Sequence, residues 1–204
     1  MSTDWLERRE LVGPSLRLSP LRTTDAADFL AALGDAAAAE AVTAHLSYHP
    51  PRDLVEAQTI IQGALDTADR LAYAQRIKTS GEFIGTTSFY EIDPALRSVA
   101  IGHTWIAQRY WGSHLNIESK LIMLSRAFDE LGAERVVWHT DVLNLRSQAA
   151  IERLGARREG VLRHHRIRRD GSWRDTVQYS MLSAEWPLAK DRLLRRLSLN
   201  DKLT

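Results

Sequence analysis

No cysteine occurs in the 204 residues, which excludes disulfides, thiolate metal sites and a covalent cysteine mechanism. Nor is there an apolar run near the roughly 20 residues needed to span a bilayer. The chain opens Met-Ser-Thr-Asp-Trp-Leu-Glu-Arg-Arg-Glu, charged where a signal peptide is apolar. These two absences predict a cytoplasmic protein with no membrane partner. Excess charge is missing too, because 27 Lys/Arg oppose 26 Asp/Glu for a net +1. With no basic-aromatic motif beside that balance, nucleic acid is not expected as a partner. The seven histidines show no two-His spacing on a convincing helix, so no metal is expected.

What is present suffices for one well-packed domain. Hydrophobic residues make up 44% of the chain, enough for a single core with a short appendage. The division expected is one main domain over 1–187 and a basic helical extension over 188–204. Charge is unevenly spread: residues 143–204 hold 14 Lys/Arg against 7 Asp/Glu, whereas the first 142 hold 13 against 19. A basic C-terminal third is a solvated face or an attraction for a polyanion. The run Arg163, His164, His165, Arg166, Arg168, Arg169 carries the same two readings, with an acidic substrate or a cofactor phosphate as the functional one.

Residues 15–21 alternate and stop at Pro20, reading as a strand. Thr24-Asp25 caps a helix that runs to about Gly34, alanine-rich 35–40 continues helical, and Asp53 starts another helix with Val55, Ile60, Ile61 and Leu65 as its apolar stripe. Strands follow at 71–77, 83–92 and 98–106, with a hairpin turn at Thr79-Ser80-Gly81-Glu82. After Gly112 comes a helix whose apolar face is Ile117, Leu121, Leu124, Phe128 and Leu131, ended by Gly132. A strand at 135–141, a helix at 146–154 stopped by Gly155, and two strands flanking Arg169-Asp170-Gly171-Ser172 complete the domain. The C-terminal helix is expected to dock through Leu193, Leu194 and Leu197.

Two stretches carry chemistry. The first is 105–120, where an apolar strand enters an Arg109-x-x-Gly112 turn and a long helix begins at once. Unpaired backbone N–H groups and the positive end of a helix dipole meet there, a combination that binds phosphate. The second is Thr140-Asp141-Val142-Leu143-Asn144-Leu145-Arg146-Ser147, followed by Ala149-Ala150-Ile151-Glu152-Arg153-Leu154-Gly155-Ala156. The Asn144 amide suits an amide-containing ligand arm, and it equally suits helix capping.

The order of phosphate turn, long helix, strand, Asn-x-x-Ser helix and Arg-Leu-Gly-Ala resembles the GNAT superfamily of acyl-CoA N-acyltransferases. More narrowly it is similar to the ribosomal-protein N-terminal (RimJ/RimL-type) acetyltransferases. The residues carrying that likeness are Ile101-Gly102, Tyr110-Trp111-Gly112, Asn116 with Glu118 and Lys120, Asn144 with Arg146 and Ser147, Arg174-Asp175-Thr176 and Tyr179-Ser180. It extends from Leu16 to Pro187. It implies an α/β fold, a single GNAT-like domain with a mixed sheet of about seven strands splayed between the fourth and fifth and helices on both faces. Acetyl-CoA would be the co-substrate, its pantetheine arm in the split and a primary amine the acceptor; a homodimer is compatible.

The resemblance further implies that Trp105, Ile106 and Ala107 offer backbone groups to the pantetheine amides. Arg109, Gly112, Ser113 and His114 would hold the pyrophosphate with Asn116 close by, Asn144 would reach the arm, and Ser147 would lie near the thioester sulfur as a substitute acid. Three positions depart from the family pattern. His114 stands where Gly or Ala is usual, Ile151 where a Tyr acid is common, and Ala100 where a Glu base is common. A base-poor site suits an α-amine of pKa about 7.7–8.0 better than a lysine near 10.4. His103 and His139 are the candidate bases, with Asp141 and Glu91 behind them. Trp105 and Trp138 flank the expected split. The acceptor therefore reads as a peptide or protein N-terminus, with a small-molecule amine or a non-catalytic acyl-CoA-binding domain as alternatives.

Overall fold

A computed structural model of the chain describes residues 4–200. The first three residues of the charged N-terminus and residues 201–204 of the expected extension lie outside it. Alternation of apolar and polar residues produces strands β1 (Leu11–Val12), β2 (Leu16–Pro20), β3 (Leu71–Ile77), β4 (Phe83–Asp93), β5 (Ser98–Ile106), β6 (Arg135–Asp141), β7 (Arg157–Ile167) and β8 (Trp173–Leu182). The helices are α1 (Ala26–Leu33), α2 (Ala36–Thr43), α3 (Leu54–Leu65), α4 (Leu115–Ser125), α5 (Leu145–Glu152) and α6 (Trp186–Asn200). None of the described helices is long and apolar enough to cross a membrane.

The strands form one sheet in the order β1-β2-β3-β4-β5-β6-β8-β7, eight rather than seven because the short Leu11–Val12 strand adds an edge. Every pairing is antiparallel except β5 with β6, which is parallel and holds only at Ser98–Arg135, Val99–Val136 and Ala100–Val137. Beyond those three pairs the strands part. That is the expected splay.

Alternate side chains supply two cores. On one face Tyr73, Phe89, Ile101, Val136, Trp138 and Tyr179 pack under α4, α5 and α6. On the other, Ala72, Ala74, Phe83 and Trp105 pack under α1, α2 and α3. Small alanines let the second set of helices approach the sheet closely. This second core includes no described residue of β6, β7 or β8, so the sheet is left uncovered on that side just where it splays.

Several local expectations change. The Asp25 carboxylate accepts from Arg22 N–H and stabilises a 3-10 turn at Thr23–Asp25, with α1 following, instead of capping the helix directly. Val55 faces solvent, since the buried face of α3 is Ala57, Ile61 and Ala64. Leu193 and Leu197 dock as expected, but Leu194 points outward. The helix after Gly112 does not run unbroken to Leu131. It widens into a π-type turn at Arg126–Glu130, where Leu131 N–H reaches the Arg126 carbonyl.

One buried carboxylate ties the phosphate-turn helix to the sheet. Glu118 on α4 is buried, and its Oε1 accepts from the N–H groups of Ser15 and Leu16 at 2.7 and 2.8 Å. A Cβ at Gly13 would stand 2.6 Å from that oxygen, so glycine there permits the approach. Glu118→Ala orphans both N–H groups, each costing about 1–3 kcal/mol. The expected outcome is a stability loss of about 2–5 kcal/mol in urea denaturation, with Glu118→Gln, which keeps an acceptor, losing less than half of that.

Candidate functional site

A cavity of about 810 Å³ lies in the splay, within the roughly 300–1,000 Å³ usual for small-molecule sites. Two strand-to-helix transitions end on it: β5 runs through Gly112 into α4, and β6 runs through Asn144 into α5. Its walls include His103, Trp105, Ile106, Gly112, Ser113 and Asn116 from the first, and His139, Asn144 and Ser147 from the second. Sequence reasoning nominated all nine, and the fold brings them together.

At the first transition Gly112 takes φ +82°, and a Cβ there would meet nothing within 4 Å. Glycine is thus required by the backbone angle, which L side chains rarely adopt. The first intrahelical bond of α4 runs from Glu118 N–H to the His114 carbonyl. The N–H groups of Asn116 and Ile117, two and one residues upstream of Glu118, find no helical acceptor, and both residues line the cavity. Trp111 closes this end, its indole donating to the Ile106 carbonyl at 2.9 Å and its ring lying under the Arg146 guanidinium at 3.5 Å. An anion fits there.

Three nominated residues play other parts. Ala107 is fully buried and off the cavity wall, its N–H donating to the Ile84 carbonyl and its carbonyl accepting from Tyr110 N–H, so it shapes the turn. The Arg109 guanidinium turns away to Glu82 at 2.7 Å. His114 lies outside the cavity wall and supplies the first helical carbonyl. Trp105 and Ile106 do face the cavity, although their carbonyls already accept from Gln75 Nε2 at 3.0 Å and from Trp111.

At the second transition Asn144 Oδ1 accepts from Ser147 N–H at 3.0 Å, so the side chain does cap α5. Its amide NH₂ is the half that remains, and it borders the cavity as a donor. Ser147 presents its hydroxyl from the first turn of the same helix. Below them Asp141 is buried; burial opposes its charge, but two bonds from Arg168 at 2.6 and 2.9 Å hold its carboxyl below the usual range. Asp141 is thereby an ion-pair anchor and a poor proton acceptor.

The histidines differ. His139 is engaged at both nitrogens, Nδ1 with the Tyr90 hydroxyl at 3.0 Å and Nε2 with Gln178 Oε1 at 3.2 Å. Burial raises the Tyr90 pKa, so this phenol stays protonated and can donate to Nδ1. Nε2–H can then donate to Gln178, which satisfies a neutral His139. His103 faces open cavity space at φ +49°, in a β-bulge between Gly102 and Trp105. The surrounding walls, then Arg70, Arg166 and Arg174, push its pKa down to about 3. It is neutral at working pH and only weakly basic.

Sequence reasoning gave no separate role to four groups here: Tyr90, Arg70, Arg174 and Lys120. Lys120 is buried, donates to Thr104 and Thr87 hydroxyls at 2.7 and 3.1 Å, and is pushed by burial down to about 7. Its signal was legible, since a lysine interrupts the apolar stripe of Ile117, Leu121 and Leu124. No cluster of metal-ligating side chains occurs among the described residues.

Residues 15–157 match the model of the acetyltransferase (GNAT) domain. The candidate ribosomal N-acetyltransferase YdaF of Bacillus subtilis (strain 168) is 33% identical over 106 residues, a match covering 52% of this chain and 57% of that protein. The match thus spans just over half the length of that curated relative. A GCN5-related N-acetyltransferase from Brucella melitensis superposes with a TM-score of 0.87 at 30% identity, over 93% of this chain and 85% of that one. Mycobacterium smegmatis RimJ, solved in complex with CoA-disulfide, shares the fold at a TM-score of 0.77 and 24% identity, over 92% and 95% of the two chains.

The split role of Asn144 yields a paired test. Asn144→Asp keeps the capping oxygen but loses the NH₂ donor, whereas Asn144→Ala loses both. Thermal melts should show Asp near wild type and Ala lower by the equivalent of about 1 kcal/mol, while acetyl-CoA titration calorimetry should show both weakened tenfold or more. Wild-type affinity in the Asp variant would leave Asn144 a cap alone.

Proposed function

The chain belongs to the GNAT family of acyl-CoA-dependent N-acetyltransferases, and on that premise we propose that it acetylates the α-amine of a peptide or protein N-terminus. The residues present fit acetyl-CoA: free N–H groups at Asn116 and Ile117, an open Gly112 and an unengaged Asn144 amide all border one cavity. Bound there, the co-substrate supplies the acetyl thioester.

The observation that carries the choice of acceptor is the poverty of bases on the acceptor side. Ala100 is buried in the last residue pair before the splay, Asp141 is bound by Arg168, His139 is engaged and His103 is acidified. Glu91 remains nearest, paired with Arg166 at 3.6 Å and His139 at 3.7 Å. An amine must therefore arrive largely neutral. At pH 7 the free-base fraction of an α-amine exceeds that of lysine by roughly two orders of magnitude.

The chain's own residues then have these tasks. Backbone N–H groups freed where β5 leaves β6 stabilise negative charge developing on the carbonyl oxygen. The amine nitrogen forms the new C–N bond as the C–S bond breaks. With no strong base beside it, the nitrogen sheds its proton to solvent in the open cavity, and the Ser147 hydroxyl passes a proton from solvent to the departing sulfur.

The test is a peptide bearing both a free N-terminus and a lysine, incubated with acetyl-CoA from pH 6.5 to 9.5 and mapped by mass spectrometry. N-terminal modification should dominate at neutral pH, and the preference should narrow as pH rises. Exclusive lysine modification at pH 7 would overturn the reading. In the same assay Ser147→Ala should lower kcat by tenfold or more with little change in acetyl-CoA KM.

A further inference from the structure

The acceptor side of the cavity holds more positive charge than its own carboxylates neutralise. Three guanidiniums, of Arg70, Arg166 and Arg174, surround His103. Arg166 reaches Glu91 at 3.6 Å. Arg70 and Arg174 make no ion pair among the described residues. Arg70 has one bond, from Nε to the Ser88 hydroxyl at 3.0 Å, and Arg174 Nε is buried without a partner. Several other buried or half-buried arginines are paired, Arg76 with Asp25, Arg126 with Glu130 and Arg168 with Asp141, whereas Arg17, outside the cavity, also keeps a buried Nε without a partner. Asp141 attracts Arg174 without bonding to it and is itself held by Arg168, so the half-buried guanidiniums are short of counter-charge, a cost that a ligand carboxylate would offset.

The positions decide which ligand. Arg70 and Arg174 line the cavity with Tyr90 and His103, and both act electrostatically on His103. The phosphate end is formed separately by the Gly112 turn, the start of α4, and Arg146 over Trp111. A guanidinium matches a carboxylate through two parallel bonds.

We propose that this side of the cavity takes an acceptor with a carboxylate close to its reacting amine, held by Arg70 and Arg174. This rests on the reading that the acceptor is a peptide N-terminus, and it makes the favoured peptides those with Asp or Glu at the second or third residue. The carboxylate must be that near because the same guanidiniums crowd His103, beside which the amine attacks. The arrangement also repels an ammonium and so favours the neutral, nucleophilic amine, while the acceptor's own carboxylate offsets the repulsion of the peptide as a whole.

The experiment compares lysine-free peptides Ser-Asp-Glu-Ala-Gly-Tyr and Ser-Asn-Gln-Ala-Gly-Tyr, with free aspartate against aspartate diamide as a second arm, all read by thiol release from acetyl-CoA. Wild-type kcat/KM should favour the acidic peptide by tenfold or more, with the advantage shrinking as salt rises. Arg70→Gln/Arg174→Gln should bring the ratio close to one, and Arg174→Lys should retain part of it, with melting temperatures checked for all variants. Equal rates on the two peptides in wild type, or an acidic preference that survives the double substitution, would overturn the inference and leave the peptide reading standing. Turnover of free aspartate alone, lost in the double variant, would overturn the peptide reading and support the carboxylate site. Turnover of none of the four would sink both.

Discussion

Everything functional in this molecule depends on β5 and β6 pairing through three residues and then separating. Parallel strands that part inside a sheet leave backbone N–H and C=O groups facing a gap, and such groups must find partners there. The chain commits to the gap rather than repairing it. A bulge at His103 adds a residue to β5 just past the last pair, and a second irregularity near Glu91 in β4 accompanies it. Both residues sit near φ +50°, a region that non-glycine residues occupy only when the surroundings enforce it. Each separated strand then turns into a helix, so two helix N-termini converge on one cavity. The anion end, the amide donor of Asn144 and the hydroxyl of Ser147 are consequences of that single departure.

Charge is distributed to match. Several arginines close on carboxylates: Arg109 with Glu82, Arg135 with Glu159, Arg168 with Asp141. The Arg168 pair links the end of β6 to the β7–β8 turn and fixes the strand end from which Asn144 projects. Within the cleft the pairing is incomplete. Arg70, Arg146 and Arg174 lack carboxylates, and Lys120 sits between two hydroxyls with none. Near neutrality overall, the protein carries unpaired positive charge along the walls of this cavity.

Much of this was legible from local pattern. The three central strands, the Gly112 turn and the Asn144 helix start were readable because alternation, glycine and capping residues act over a few positions. The splay was readable only through resemblance. Side-chain destinations set by distant contacts were not readable: Arg109 meets a glutamate 27 residues away, and His139 meets Tyr90 at 49. Ala107 looked available because no local rule reports that both its backbone groups are engaged. The bulge at His103 leaves no mark either, since a histidine in a strand is unremarkable until the register of the neighbouring strand is known. Lys120 is the opposite case, a charge inside an apolar stripe that local pattern does expose.

The missing carboxylate at Ala100 gains a physical sense from the arginines. A base at that point would be buried between β4 and β6 at the closed end of the splay, where burial raises a carboxyl's pKa. Glu91, one residue past the strand position opposite Ala100, instead lies half-exposed between Arg166 and His139. What remains is a positive field around His103. A positive field of that kind disfavours an ammonium and shifts an amine's equilibrium toward the neutral form. A group whose pKa already lies near neutrality needs only a small shift, whereas a lysine needs several units. The proposed choice of an α-amine rests on that balance between a weak base and the acceptor's own proton affinity. The two absences noted in the sequence, at Ala100 and Ile151, are then compatible with catalysis.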